Sequence, residues 1–487
     1  MSAITSTPRI LIVGSGPSGL IAALTLARNG VPVRVIEKTT TNRIGQRGAG
    51  VMPRSLELYE MLGILPQVLQ HSVPVPKICM YKMPEGVEVV NEVYVSPPAK
   101  PTPARPYLNP RLIGQDNLDK ILQAELQKFG VPVELGQFED HVDVELLRHP
   151  LEDLSVEPIL EKASYRWVVG ADGAKGVVRK LLELSFVGET IEQNSWSSIR
   201  PTETPGLFNF IAGGAKLVNH AEICSSDDNL RQFLKEQTGN REDIKWGAVV
   251  CVSHFRVNVH MADQFQKGRV FVAGDAAHVH SLTGGQGMNT GVQDASNLSW
   301  KLALVEKGLA NQPYRSGDLH QLNVNYRGSS ITVDQDVAAH GEPQKKGSSY
   351  HIEDGDVVHA GDRAPDASGL IKVGSEQGPV RLFGLLNPAR HTVLIFADKI
   401  DYKSTLTNLE KYVKELVRPV IITKAGSEFS TPMADVFEDH DGYAHEAYKG
   451  PEGTTGIFAI RPDGVVGCRA GNTSGLDEYF EKIFGAL

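Results

Sequence analysis

The stretch that decides the fold runs from Arg9 to Glu37 and reads RILIVGSGPSGLIAALTLARNGVPVRVIE. Its opening apolar run, Ile10–Val13, is typical of a parallel strand that is buried on both faces. Apolar residues at helical spacing follow and stop at Asn29 and Gly30, and residues 31–37 then predict a second strand. A strand, a helix and a strand in so short a stretch predict a βαβ unit with a right-handed crossover.

A glycine-rich turn separates the first strand from the helix and reads Gly14-Ser15-Gly16-Pro17-Ser18-Gly19. In such a GxGxxG motif the first glycine permits the turn, the second lets a pyrophosphate approach the backbone, and the third lets the helix pack on the strand. Glu37, followed by Lys38, ends the second strand 23 residues after Gly14, where a carboxylate can bind a ribose diol. The pattern predicts a dinucleotide site, with an ordinary strand-to-helix turn as the alternative.

Two later motifs favour a flavin nucleotide over NAD as the bound dinucleotide. Gly170-Ala171-Asp172-Gly173 ends one predicted strand, and Gly274-Asp275-Ala276-Ala277-His278 ends another. The second motif continues through Gly284-Gly285-Gln286-Gly287-Met288-Asn289 into a long predicted helix. An aspartate at a strand end can bind a ribityl or ribose hydroxyl, and a glycine-rich helix start presents N–H groups to an anion. One Asp-Gly pair is more often a turn, but three nucleotide-type loops in this order predict a flavin site.

Composition excludes several classes of protein. The chain has 487 residues, enough for about three domains, and its net charge of −9 argues against a nucleic-acid partner. Its four cysteines are far apart and form no CxxC pair, so neither a disulfide scaffold nor a cysteine zinc site is expected. His278 and His280 have no third ligand nearby, so no metal is predicted. With no run of 18 apolar residues and no signal peptide, we expect a cytoplasmic protein without an integral membrane segment.

Together these motifs resemble the class A FAD-dependent monooxygenases, the aromatic hydroxylases that include p-hydroxybenzoate hydroxylase and phenol hydroxylase. Two smaller matches support the resemblance: Arg47 followed by Arg54-Ser55-Leu56-Glu57, and Gln115 before a predicted helix. The similarity covers about residues 8–310. Residues from about 350 to the end resemble the thioredoxin-like domain that the phenol hydroxylase branch carries.

The resemblance implies a mixed α/β and α+β fold. It consists of a GR2-type Rossmann-like FAD domain, an inserted β-sheet substrate domain and a C-terminal thioredoxin-like domain. The expected boundaries are residues 1–72, 108–180 and 262–310 for the FAD domain, 73–107 and 181–261 for the substrate domain, 311–350 for a linker and 351–487 for the thioredoxin-like domain. That last domain has only Cys468. A working thioredoxin needs a CxxC pair, so we expect the domain to be redox-inert and to serve oligomerisation or solubility.

The resemblance also implies a cofactor role for each motif residue. Glu37 would bind the adenosine ribose, while Arg47 and Gln115 would contact the FAD phosphates and ribityl chain. Asp172 would lie between FAD and the approach route of NAD(P)H, and Asp275 would hold the ribityl chain. Close to the flavin ring we expect the start of the long helix, namely Gly285, Gly287, Met288 and Asn289.

The implied activity is hydroxylation of a phenolic aromatic substrate. NAD(P)H would reduce the bound FAD and leave, and the reduced flavin would react with O2 to give a C4a-hydroperoxide that transfers oxygen to the ring. Oxidative decarboxylation of a hydroxybenzoate is a close variant. No catalytic residue is assigned, and a homodimer is one expected assembly. The alternatives are an epoxidase or Baeyer–Villiger-type oxygenase on the same fold, and a flavin-binding module without catalysis.

The sequence departs from the family at several places. His280-Ser281-Leu282-Thr283 stands where the family usually has a proline beside the flavin, and Ala49 is close to the place of an active-site aspartate. The stretch between Asp172 and Asp275 is short for a substrate sheet, and the family's long helix is missing after Leu309. Either the protein is a trimmed relative, or segments near residues 190–210 and 310–320 are absent from the chain.

Overall fold

The structure is a computed structural model of the full chain. It describes residues 8–46, 48–94, 96–135, 137–139, 144–148, 159–190, 196–213, 219–253, 258–280, 285–310, 326–327, 329–335, 357–398, 400–427, 430–449 and 456–485.

The helices, in chain order, are α1 (Pro17–Arg28), α2 (Pro53–Met61), α3 (Leu65–Gln70), α4 (Gln115–Gln127), α5 (Val177–Leu181), α6 (His220–Ile223), α7 (Asp227–Gln237), α8 (Gln286–Glu306), α9 (Tyr402–Leu409), α10 (Tyr443–Ala447) and α11 (Thr473–Phe484). The strands are β1 (Ile10–Val13), β2 (Val33–Glu37), β3 (Gly50–Val51), β4 (Val73–Pro74), β5 (Ile78–Tyr81), β6 (Val89–Val93), β7 (Arg111–Leu112), β8 (Val133–Leu135), β9 (Gln137–Glu139), β10 (Val144–Arg148), β11 (Ile159–Ala163), β12 (Trp167–Gly170), β13 (Phe186–Thr190), β14 (Trp196–Pro201), β15 (Phe208–Gly213), β16 (Asn258–Ala262), β17 (Gln266–Lys267), β18 (Val270–Val272), β19 (His278–Val279), β20 (Val333–Asp334), β21 (Leu370–Lys372), β22 (His391–Phe396), β23 (Val417–Lys424), β24 (Asp435–Asp439), β25 (Ile457–Ile460) and β26 (Val466–Ala470).

The predicted βαβ unit forms the centre of a sheet with the strand order β17-β18-β12-β1-β2-β8. All neighbouring strands are parallel except β17, which runs antiparallel to β18. Ile10 pairs with Val33 on one side and with Trp167 on the other. Because β1 is covered on both faces, its apolar run has no polar alternation, as the sequence predicted.

Helices cover this sheet and complete its core. α1 packs against both α4 and α8. It begins with Pro17 at its first turn and ends at Asn29, followed by Gly30 in the left-handed region at φ 71°. The helices that the sequence predicts after Gln115 and after the Gly284–Asn289 loop are confirmed as α4 and α8, and Arg54-Ser55-Leu56-Glu57 lies in α2. The structure does not describe residues 311–325, where the family's further helix was expected.

Smaller antiparallel sheets lie outside the main sheet. β13, β16 and β19 form one, and the pairs β14–β15 and β5–β6 form two hairpins. β9, β10 and β11 form another meander. β5, β6, β13, β14, β15 and most of β16 fall within residues 73–107 and 181–261, for which we predicted a substrate sheet. In contrast, β9–β11 fall within 108–180 and β19 within 262–310, which we predicted as parts of the FAD domain.

The C-terminal unit, which we define as β20–β26 with α9–α11, is built on a second mixed sheet. Its strand order is β20-β26-β25-β22-β23-β24-β21, and β22 is buried along its whole length. β20 lies within the linker predicted at 311–350 and pairs parallel with β26. An edge strand of two residues carries too little periodicity to be recognised in the sequence.

One hydrophobic core joins the two large sheets. Ile10 and Leu20 belong to the same buried cluster as Leu382, Phe396 and Val420 of the C-terminal unit. α8 contributes to this cluster and also, through Trp300 and Leu304, to a second one inside the C-terminal unit. The C-terminal unit is therefore packed against the first sheet and its helices.

A substitution in α8 tests the shared core. Leu302 is fully buried in the cluster that contains α1 and α8. Leu302→Ala should lower the free energy of unfolding by about 3 kcal/mol, because a large buried side chain leaves a cavity. Leu181→Ala, at a position that is 41% exposed, is the matched control and should cost less than about 0.5 kcal/mol. Equal losses in chemical denaturation would contradict this assignment of the core.

Candidate cofactor site

The predicted motifs lie at one edge of the main sheet. β18, β12, β1 and β2 are adjacent parallel strands. The motif residues lie at the carboxyl ends of these strands. Gly274 and Asp275 come after β18, Ala171 and Asp172 after β12, and the turn at residues 14–19 after β1, while Glu37 is the last residue of β2. In open α/β sheets, ligands bind in the crevice at this edge.

Two glycines of the first motif are required by close packing. Gly14 has φ 102°, and a Cβ there would lie 2.5 Å from the carbonyl oxygen of Ala171. A Cβ on Gly19 would lie 2.0 Å from the carbonyl oxygen of Gly14. The first glycine thus joins β1 to the β12 loop, and the third brings α1 onto the turn.

Gly16, unlike Gly14 and Gly19, has open space around it. Among the described residues, the atom nearest to a Cβ built on Gly16 is Arg43 Nη1, at 3.9 Å. Gly16 precedes Pro17 at the start of α1, and no side chain in the described chain caps that helix. The N–H groups and the positive dipole end of α1 can therefore receive an anion, with the Arg43 guanidinium beside them.

The side chain of Ser18 packs inside the protein. A Cβ on Gly274 or on Gly291 would lie 2.4 Å or 2.3 Å from Ser18 Oγ. Ser18 thereby fixes α1 against the β18 loop and against α8. What it offers to a cofactor is its backbone N–H, and its predicted contact with the cofactor stays a prediction.

Glu37 is buried at the end of β2. Its carboxylate accepts hydrogen bonds from the backbone N–H of Ser15 at 3.0 Å and of Thr39 at 3.2 Å. Burial by itself raises the pKa of Glu37, but these hydrogen bonds and the charge of Arg43 outweigh it and lower the pKa below its usual value. The carboxylate is therefore ionised and can accept hydrogen bonds from a ribose diol, while Lys38 beside it is exposed.

A second carboxyl group lies close to Glu37 and Arg43. Asp119 of α4 is buried, and its Oδ1 has no hydrogen-bond partner within the described chain. Burial, aided by Asp116 and Glu37 and opposed by Arg43, raises the pKa of Asp119 to about 7. Neither Arg43 nor Asp119 was singled out in the sequence.

The start of α8 is another uncapped helix end. Gly285 precedes it with φ 61°, and the described side chains leave it without a cap. A Cβ on Gly285 would lie 2.8 Å from Met52 Cε, and one on Gly48 would lie 3.8 Å from Met288 Cβ. The residues before α2 and the start of α8, for which we predicted the flavin-ring site, therefore lie face to face.

Asn289 joins these two elements. Its Oδ1 accepts hydrogen bonds from the Met52 N–H at 2.9 Å and the Ser55 hydroxyl at 2.7 Å. Its Nδ2 donates to the carbonyl oxygens of Gly50 at 2.8 Å and Gly285 at 2.7 Å. The side chain is fully buried, so a contact between Asn289 and a flavin ring would use its backbone.

The loop that contains Asp275 is fixed by hydrogen bonds to Asp294 of α8. The Gly274 N–H donates to Asp294 Oδ2 at 3.2 Å, and His278 Nε2 lies 2.6 Å from the same oxygen. Asp275 itself is exposed at the sheet edge. The described residues hold no group of three or more histidine, cysteine, aspartate or glutamate side chains suited to a metal ion, and His278 is engaged with Asp294.

Asp172 caps a helix at the same edge. Its Oδ2 accepts hydrogen bonds from the N–H groups of Val177 at 2.5 Å and Val178 at 3.1 Å, at the start of α5. Burial raises the pKa of Asp172 despite these hydrogen bonds. Its Oδ1 is buried and finds no hydrogen-bond partner in the described ranges, which leaves one acceptor of the predicted site unused.

Gln115 begins α4 beside a network that the sequence did not reveal. Glu203, between β14 and β15, accepts hydrogen bonds from the Gly114 N–H at 2.7 Å, Asn117 Nδ2 at 2.6 Å and Gln46 Nε2 at 2.8 Å. Arg200 Nη2 donates to Gln46 Oε1 at 2.7 Å. The β14–β15 hairpin is thus tied to both α4 and the loop at residues 44–50. Arg47, predicted in that loop, lies outside the described residues.

These surroundings fit FAD. Two uncapped helix starts, Arg43 beside Gly16, an ionised Glu37 and the unused Oδ1 of Asp172 are all places where a dinucleotide finds partners. Within the described ranges, no helix combines the length and the apolarity that crossing a bilayer would need.

Comparison with known proteins shows the family of this chain. The sequence matches the FAD binding domain family over residues 7–209 and 218–314. It is 32% identical to a flavin-dependent monooxygenase of Mycobacteroides abscessus, with 97% of this chain and 99% of that protein covered. It is 28% identical to pentachlorophenol 4-monooxygenase of Sphingobium chlorophenolicum, over 95% of this chain and 94% of that protein. The chain belongs to the FAD-binding flavin-dependent monooxygenases.

Solved structures share the fold over the whole chain. The flavin-dependent monooxygenase PieE, in complex with FAD and substrate, has a TM-score of 0.75 at 18% identity, with 99% of this chain and 100% of PieE covered. Aklavinone-11 hydroxylase, with FAD and aklavinone, has a TM-score of 0.73 at 19% identity, with 100% of each chain covered.

The Mycobacteroides relative carries residues that this chain lacks. Their alignment spans 537 residues, whereas this chain has 487, so at least 50 positions of the relative have no counterpart here.

Asp119 should make stability depend on pH. Its pKa of about 7 exceeds its ordinary value of 3.8, so between these limits the folded protein keeps a proton that the unfolded chain has lost. The free energy of unfolding therefore falls as pH rises through this window and is level above it. Asp119→Asn should flatten the profile between pH 5 and 7 and add about 1–3 kcal/mol at pH 8.

Denaturation at several pH values measures this effect. Asp228→Asn, whose side chain is 94% exposed, serves as the control and should follow the wild type at every pH. An Asp119→Asn profile parallel to that of the wild type would exclude a titrating Asp119.

Glu203 should matter for both folding and cofactor affinity. Glu203→Ala removes the shared acceptor of three hydrogen bonds, and we expect a loss of about 2 kcal/mol in the free energy of unfolding. FAD should also bind more weakly, because α4 begins with Gln115. Flavin fluorescence titration measures the affinity, and the exposed Glu189 of β13 supplies the control Glu189→Ala. Unchanged affinity in Glu203→Ala would separate this network from the cofactor site.

Proposed function

We propose that the protein uses NAD(P)H and O2 with bound FAD to hydroxylate a phenolic aromatic compound, and that oxidative decarboxylation is a variant of the same reaction. The observation that carries the proposal is the meeting of two uncapped helix starts, α1 and α8, at the carboxyl edge of the parallel sheet. The names of several relatives support the substrate class, among them pentachlorophenol 4-monooxygenase and a 3-(3-hydroxy-phenyl)propionate/3-hydroxycinnamic acid hydroxylase of Comamonas testosteroni, 29% identical over 331 residues.

Residues at the first helix start would hold the adenosine half of FAD. Glu37 accepts hydrogen bonds from the ribose diol, and Gly16 lets the pyrophosphate reach the N–H groups of α1. Arg43 adds a positive charge next to Gly16. Arg47 and Gln115 are proposed contacts of the phosphates and the ribityl chain, as are Asp172 and Asp275 at the neighbouring strand ends.

Residues around the second helix start would hold the flavin ring. The N–H groups of Gly287 and Met288 and the dipole of α8 favour negative charge at that place. When bound, FAD would supply the redox chemistry that side chains lack, namely hydride acceptance from NAD(P)H and transfer of one oxygen atom of O2 to the substrate, with the other oxygen atom leaving as water. The protein's part is to bind and orient both partners and to exclude water.

We also propose the domain roles that the resemblance implies. Residues 1–72, 108–180 and 262–310 would form a GR2-type Rossmann-like FAD domain, and 73–107 with 181–261 would form the substrate domain. The C-terminal unit would be thioredoxin-like and redox-inert. Cys468 supports this, since it is buried against the Gly475 carbonyl and burial raises the pKa of its thiol well above the usual range. A homodimer stays a prediction.

A screen of phenols, together with a variant of weakened FAD affinity, tests the function. Purified protein should contain FAD, at least one phenol should speed the oxidation of NADPH or NADH, and the product should gain the mass of one oxygen. Gly16→Ala should fold as well as the wild type, because among the described residues the nearest atom to the new Cβ is Arg43 Nη1, at an ordinary contact distance of 3.9 Å. It should nevertheless bind FAD at least tenfold more weakly, because that methyl group blocks the pyrophosphate.

Two outcomes would change the assignment. Oxygen inserted into a product that is not a ring hydroxylation product would favour the epoxidase or Baeyer–Villiger alternative. NAD(P)H oxidation that no aromatic compound stimulates would overturn the hydroxylase proposal.

A further inference from the structure

We propose that the C-terminal unit positions the flavin site by holding α2 and α8, and that Arg363 is the positioning residue at the centre of this contact. The inference rests on the FAD site of the proposed function but not on its substrate. It gives the C-terminal unit a role within the monomer, in place of the oligomerisation or solubility expected from the sequence.

Arg363 grips α2. Its side chain is buried, and its Nε donates to both carboxylate oxygens of Glu57 at 2.7 Å, with Nη2 also bonded to that carboxylate. Arg54 Nη1 donates to the same carboxylate at 2.8 Å. Arg54 Nη2 then donates to the Asp463 carbonyl oxygen at 2.6 Å. The C-terminal unit thus holds α2 from two sides, through one buried carboxylate and one buried guanidinium.

Asp463 also reaches α8. Asn297 Nδ2 donates to Asp463 Oδ2 at 2.6 Å, and Lys301 Nζ donates to Asn297 Oδ1 at 2.8 Å. Arg461, fully buried, pairs with Asp463 and lies over the Trp300 ring at 5.4 Å. One short segment of the C-terminal unit, residues 461–464, therefore binds both helices.

The N-terminal ends of these same helices form the proposed flavin-ring site. Asn289, which bonds the Met52 N–H and the Ser55 hydroxyl, precedes Asn297 by eight residues, or about two helical turns. Ser55 lies only two residues before Glu57. Because a helix moves as a rigid body over this length, the spacing of α2 and α8 at the ring is set jointly by Asn289 and by the C-terminal unit.

The C-terminal unit holds a third element of the site as well. Arg363 Nη2 and the Asp366 N–H both donate to the Ala104 carbonyl oxygen at 3.0 Å, and Arg381 Nη2 donates to that of Pro103 at 2.9 Å. This proline-rich segment leads through β7 into α4, where Gln115 stands. Arg363 is thus the one side chain named here that bonds both α2 and the segment before α4.

Removing Arg363 would leave Glu57 buried with only Arg54 as a partner, so the local structure has to rearrange. The rearrangement falls on α2 and on the approach to α4, and both carry residues of the FAD site. A side chain that served only stability would lower the melting temperature without changing how tightly or in what geometry FAD is held.

The full chain in three variants tests the proposal: Arg363→Gln, Arg363→Lys and the control Arg418→Gln. Arg418 is a half-buried arginine of the same unit that forms a two-nitrogen ion pair with Asp435 and contacts the Leu385 carbonyl. The measurements are the FAD dissociation constant by fluorescence, the visible circular dichroism of bound flavin, and the melting temperature without FAD. The binding assay contains no NAD(P)H and no aromatic compound.

Arg363→Gln should raise the FAD dissociation constant at least fivefold and alter the circular dichroism of the flavin. Arg363→Lys keeps the positive charge but loses the two-nitrogen geometry of the guanidinium, and it should raise the FAD dissociation constant two- to threefold. Arg418→Gln should lower the melting temperature and leave the dissociation constant within twofold of the wild type. FAD affinity unchanged in Arg363→Gln, or weakened equally in Arg418→Gln, would overturn the proposal.

The experiment also distinguishes a folding defect from a failure of the proposed function. If Arg363→Gln does not fold, Arg363→Lys carries the test, and a dissociation constant equal to that of the wild type overturns the proposal. A wild type that binds FAD without hydroxylating any phenol contradicts only the proposed substrate. A wild type without affinity for FAD contradicts the cofactor site itself.

Discussion

The arrangement of the site depends on one buried amide, that of Asn289. With four hydrogen bonds it joins the backbone before α2 to the start of α8. A buried amide with an unpaired donor or acceptor would cost about 1–3 kcal/mol, so the two helix starts can meet only where all four partners are present. Asn289 is therefore the residue that joins the backbone before α2 to the uncapped start of α8, where the flavin ring is proposed to bind.

The parts recognisable in the sequence are those that local chemistry determines. β1, α1 and β2 were predicted because apolar periodicity and the Gly14–Gly19 turn express their structure within a few residues. The crevice was predictable because parallel strands bring their carboxyl ends to one edge. Arg43 could have been predicted as a cofactor contact, because the sequence shows a cation shortly after Glu37, the acidic end of β2.

Other residues could not be placed without the fold. Glu203 contacts Gly114 and Gln46 across large sequence separations, and no local pattern marks it. Ser18 and Asn289 belong to the recognised motifs, yet their side chains serve packing between elements that meet only in three dimensions. The edge strand β20 is defined by its partner β26, because two residues have too little pattern to identify a strand.

The contact between the C-terminal unit and the rest of the chain is more polar than packing alone would require. Apolar side chains of similar size at Glu57 and Arg363 would be about as stable, because desolvation of a buried ion pair offsets much of its attraction. A hydrophobic contact, however, tolerates sliding and rotation, whereas a forked arginine–carboxylate pair accepts a single geometry. Such a contact is the better choice where the spacing of two helices, rather than the free energy of unfolding, is what the site requires.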